Sequence, residues 1–89
     1  MRAEDLVPTV RERYRIQGSD GVVITHVEPA GAAAAAGIRD GDVVLEVNRK
    51  PVNDVSEFEA ALGERDSALV LIERGETTLF LTLRLVLIG

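Results

Sequence analysis

Ala33-Ala34-Ala35-Ala36-Gly37-Ile38-Arg39-Asp40-Gly41-Asp42-Val43-Val44 is the stretch on which the fold turns. Alanine is the strongest helix former, and Gly37 can take the left-handed conformation that ends a helix, so residues 31–36 are predicted to form one and a half helical turns. Small side chains all round let such a helix lie close to its neighbour. Ile38 then anchors the chain in a core, Asp40-Gly41-Asp42 turns it, and Val43 to Asn48 reads as a strand.

Working outward toward the N-terminus, Val22-Val23-Ile24-Thr25-His26-Val27 is β-branched apart from His26 and apolar enough on both faces for a central strand, closed by Glu28-Pro29. Gln17 to Gly21 is loop. Thr9 to Ile16 places Val10 and Tyr14 on one helical face, with Arg11, Glu12 and Arg15 on the other. Arg2 to Leu6 reads as a short strand, and Pro8 stops it. Toward the C-terminus, Arg49-Lys50-Pro51-Val52 turns the chain. Asp54 then caps a helix over Val55–Leu62, Glu57 reaches back to it, and Gly63 stops it. Val55, Phe58, Ala61 and Leu62 make the apolar stripe of that helix. Ala68 to Glu73 and Thr77 to Leu85 are strands joined by a tight turn at Arg74-Gly75-Glu76. The order of elements describes one small α+β domain over residues 1–89.

Composition removes whole classes of function. Eighty-nine residues close only one hydrophobic core. Cysteine is absent and there is a single histidine, which excludes thiolate catalysis, disulfides and a conventional zinc site. No metal and no cofactor is expected. Asp40, Asp42 and Glu46 lack the spacing of a calcium loop and read as solvated faces. Fifteen acidic against ten basic residues, with three aromatics, disfavour a nucleic-acid partner. No run approaches the ~18 apolar residues of a membrane span, so membrane insertion is not expected, and Met1-Arg2-Ala3-Glu4-Asp5 does not begin a signal peptide. His26 with Ser19, Ser56 or Ser67 lacks the nucleophile elbow and oxyanion loop of a hydrolase, so no catalytic residue is assigned.

Gly21 to Ile24, Glu28-Pro29, the run from Ala33 to Val44, Val47-Asn48 and Pro51-Val52 together resemble a bacterial PDZ domain, and most of all the PDZ modules of HtrA-type (Deg) envelope serine proteases. The resemblance covers nearly the whole chain. It implies a partly open five-stranded antiparallel sheet or barrel capped by two to three helices, in a permuted HtrA-type topology. Two departures stand out: Gly31-Ala32 replaces the usual Ser-Pro before the alanines, which weakens the helix cap, and Arg49 stands where many relatives have glycine.

The function implied by the resemblance is recognition of C-terminal peptides with apolar ends, or of unfolded protein segments, by addition of a strand to a sheet edge. The parent protein would be a periplasmic or envelope protease carrying its catalytic residues outside this chain. The edge would be the first strand, with Met1, Arg2, Ala3 and Glu4. Val55, Glu59 and Leu62 of the groove helix would face the ligand, while Phe58 and Ala61 turn to the core. Relatives carry a carboxylate-binding loop just before the edge strand. Here Leu87-Ile88-Gly89, read into Met1, restores that pattern, which suggests a loop split between the two ends of a permuted or engineered chain. Two other readings of the tail stand beside it: docking into a neighbouring molecule, giving weak self-association, or a passive remnant. The rival function is an assembly module that pairs through its edge strand or its apolar tail.

Overall fold

The computed structural model describes residues 1–63 and 66–84. Among them the elements run β1 (Arg2–Asp5), α1 (Pro8–Tyr14), β2 (Val22–His26), α2 (Ala32–Ala36), β3 (Val43–Val47), β4 (Lys50–Pro51), α3 (Val55–Leu62), β5 (Ser67–Arg74) and β6 (Thr77–Arg84). The strands form one antiparallel sheet in the order β1-β2-β3-β5-β6, with β4 added to β3. This is an α+β fold of six strands and three helices.

Two local expectations change. Pro8 opens α1 instead of preceding it, because the first turn of a helix needs no donor at that position. Lys50–Pro51 is not only a turn but pairs with Glu46 and Val47 as β4, which raises the strand count from five to six. Two residues are too few to show a periodic pattern. The expected strand end at Leu85 lies outside the described residues, as do Leu87, Ile88 and Gly89.

The sheet has two differently covered faces, as its period of two requires. Val22 and Ile24 of β2, Val44 and Val47 of β3, Val70 and Ile72 of β5 and Leu83 of β6 form one cluster with Ala33, Ile38 and Phe58. Val23 and Val43, the alternate residues of β2 and β3, are buried outside that cluster, as is Val10 of α1. Gly21 must be glycine. Its φ is +99°, and a Cβ there would lie 2.4 Å from the Val44 carbonyl oxygen.

The alanine helix ends as expected, with Gly37 at φ 96° and its N–H bonded to the Ala34 carbonyl. Gly31 supplies no side-chain cap. Asp42 corrects the reading of its acidic neighbourhood as a solvated face. It is 2% exposed and accepts from the Arg39 N–H at 2.9 Å and from Arg74 Nε and Nη2 at 2.8 and 2.7 Å. The same Nη2 donates to the Gly37 carbonyl at 2.8 Å, so one forked ion pair ties the end of α2, the following turn and the end of β5 together.

Candidate functional site: a groove between the first strand and the third helix

β1 is an edge strand, paired with β2 through Ala3 opposite Ile24, Glu4 opposite Val23 and Asp5 opposite Val22. Among the described residues no strand occupies its other side, where α3 lies. Between the two runs an open groove of about 520 Å³, lined by Met1 and by Arg2 and Ala3 of β1, and by Phe58, Glu59 and Leu62 of α3 with its C-cap Gly63. Its floor is apolar: Phe58 is 3% exposed, and Ala3 and Leu62 pack against the main core.

The helix is aimed by its N-terminus. Asp54 Oδ1 accepts from the Glu57 N–H at 2.7 Å, and Glu57 Oε1 accepts from the Asn53 N–H at 2.7 Å, one residue further back than a simple capping box. A third acceptor comes from β1. Asp5 Oδ1 takes the Val55 N–H at 2.7 Å, across fifty positions of sequence, and so satisfies a donor that the helix itself cannot. Three carboxylates stand where the helix dipole is positive. At the opposite end, the Met1 ammonium bonds the Glu28 carboxylate, an exposed pair that holds Glu28 below the usual carboxylate range.

Of the residues expected at a peptide site, Met1, Arg2, Ala3, Glu59 and Leu62 come together here. Glu4 and Val55 do not line the groove, and Val55 packs partly into the core. Phe58 does both jobs, buried in the core and forming groove floor; a helix residue one turn from Leu62 shares its face. Gly63 was not anticipated beyond its role as a stop. Nor was Asp5, whose partner is visible only in three dimensions. Leu87, Ile88 and Gly89 lie outside the described residues. His26 is an exposed residue at the end of β2.

The profile of the PDZ domain family matches residues 9–71. Among curated proteins, mouse serine protease HTRA4 is 38% identical over 64 residues, and the periplasmic serine endoprotease DegP of Escherichia coli K12 is 34% identical over 70. Those alignments cover 72% and 76% of this chain but only 13% and 15% of the two proteases, so the chain spans about one-seventh of their length. Among solved structures, the HtrA3 PDZ domain bound to a phage-derived ligand, FGRWV, superposes with a TM-score of 0.85 at 26% identity, covering 94% of this chain and 79% of that one. The HtrA-type protease AlgW with a decapeptide has a TM-score of 0.78 at 23% identity, over 93% of this chain and 26% of that one, a likeness of fold.

Proposed function

Because this chain belongs to the PDZ domain family, and its relatives are the PDZ regions of HtrA and DegP serine proteases, we propose that it binds the C-terminal ends of peptides and unfolded proteins by strand addition beside β1. The observation that carries this reading is the groove itself, an apolar floor of Ala3, Phe58 and Leu62 lying next to a free strand edge. The β1 backbone supplies hydrogen bonds to the peptide main chain, and the apolar end by Met1 and Leu62 takes the last side chain. Chemistry belongs to the rest of the parent, a bacterial envelope protease for which this module recognises substrate. The matched part of the relatives is the PDZ region, which is not the catalytic one.

Affinity follows from the size of the site. One short strand and one pocket must also offset the ordering of a flexible peptide, which leaves a Kd of roughly micromolar, or about -8 kcal/mol. The pentapeptide found on the HtrA3 domain is a suitable probe. Labelled FGRWV should bind as the free acid more tightly than as the C-terminal amide in a fluorescence-anisotropy titration. Equal affinities would remove the carboxylate from the reading, and no binding by either form would remove the reading itself.

A second reading, assembly through an edge, draws support from β6. Among the described residues it ends the sheet, with eight residues, and Phe80 near its centre is 56% exposed. A long edge strand that carries an exposed aromatic can pair with another strand. Mass in solution at low and high protein concentration separates the two, since only edge pairing depends on concentration.

A further inference from the structure

The groove is shorter than the strand that borders it. β1 runs to Asp5, yet the groove is lined only as far as Ala3 on the strand and only from Phe58 onward on the helix. Asp5 shares the face of Ala3, because side chains two apart on a strand point the same way. From there its Oδ1 reaches the N–H of Val55, the first residue of α3. That hydrogen bond joins the two walls of the groove just past the last residues that line it.

Resting on the strand-addition reading, we infer that Asp5 closes the groove and thereby sets how much of a peptide it takes. A strand rises about 3.3 Å per residue, so an added strand lies beside Met1, Arg2 and Ala3 for about three residues before it meets the Asp5–Val55 bridge. Peptide residues further from the C-terminus leave the groove there. Asp5 is a positioning residue: it acts on the ligand through α3, by holding the start of the helix against β1. The specificity that results is for the very end of a chain, independent of what precedes it.

The test is a length series of acetylated free-acid peptides, GRWV, FGRWV and GSGSFGRWV, titrated against the wild type, Asp5→Asn and Asp5→Ala. In the wild type the three affinities should agree within about twofold. Asp5→Asn keeps an oxygen acceptor for the Val55 N–H and should keep the flat profile, which separates the bridge from the charge of Asp5. Asp5→Ala opens the groove, and GSGSFGRWV should then bind about fivefold or more tighter than GRWV. Hydrogen exchange at the Val55 amide reports the bridge directly, slow in the wild type and Asp5→Asn, fast in Asp5→Ala. A gain of about fivefold or more with length in the wild type overturns the inference, and that arm stands even where Asp5→Ala fails to fold. A flat profile in Asp5→Ala together with fast Val55 exchange overturns it as well. If no peptide binds the wild type while its Val55 amide is protected, the bridge is present and the peptide reading has failed, taking this inference with it.

Discussion

Asp42 and Arg49 show how differently a charged residue can matter in one small domain. Asp42 is buried and fully engaged by Arg74 and the Arg39 N–H, so its removal strands a guanidinium and a backbone donor together. Breaking a buried pair costs ~3–5 kcal/mol, and Arg74, whose side chain is 29% exposed, recovers part of that by turning to water. Asp42→Ala should therefore lose about 2–3 kcal/mol in urea denaturation. Asp42→Asn, which keeps an acceptor, should lose less. Arg49 carries the opposite expectation. Asn48 and Arg49 have φ of 51° and 68°, two successive left-handed residues in the turn between β3 and β4. Asn48 suits its place, since its Oδ1 accepts from the Leu69 N–H at 2.9 Å. Arg49 is merely strained there, where a glycine would carry no Cβ penalty. Arg49→Gly should raise stability by about 0.5–1 kcal/mol, read from the shift of the denaturation midpoint at constant slope.

At the scale of the element, α3 decides both stability and recognition, on adjacent residues. Phe58 is a core residue and groove floor at once, so Phe58→Ala should cost about 3–5 kcal/mol from lost burial and a residual cavity. That is a large part of what holds a domain of this size together. Glu59, exposed at the groove rim, should change stability by no more than about 0.5 kcal/mol on Glu59→Ala while shifting the affinity for FGRWV, whose arginine it can attract. Thermal melts and anisotropy titrations of the two variants check this pair. The reverse ranking would mean that the helix presents a different face.

For the whole molecule, the question is which of the two sheet edges meets a partner. β1 has α3 beside it and a groove to receive a strand. β6 ends the sheet with alternating faces, Leu79, Leu81 and Leu83 inward and Thr78, Phe80 and Thr82 outward. Recognition through β1 leaves the chain monomeric, so sedimentation should return 9.6 kDa at low and high concentration. Should the mass rise with concentration, Phe80→Lys would locate the contact: loss of the rise with an unchanged melting temperature places it on β6.

Much of this architecture was legible because its signals are local. The alanines stopped by Gly37, the valine runs of β2 and β3, the Asp54 cap and the turn at Gly75 each act through neighbouring residues, and α2, β2, β3 and α3 stand within about one residue of their expected bounds. Likewise Met1, Ala3 and Leu62 came to one groove because the strand and the helix follow from pattern and the family likeness sets their order. What the sequence left undecided depends on contacts between residues far apart along the chain. Asp42 and Arg74 are thirty-two positions apart, so nothing adjacent to Asp42 distinguishes a buried ion pair from a solvated acid. Glu4 and Val55 have the right spacing for the groove yet stand outside its lining. Asp5, fifty positions from Val55, spends its carboxylate on the helix, and only the packing of α3 against β1 brings the two together. Periodicity assigns residues to faces; how far apart two faces stand, and what spans them, is settled when the elements pack.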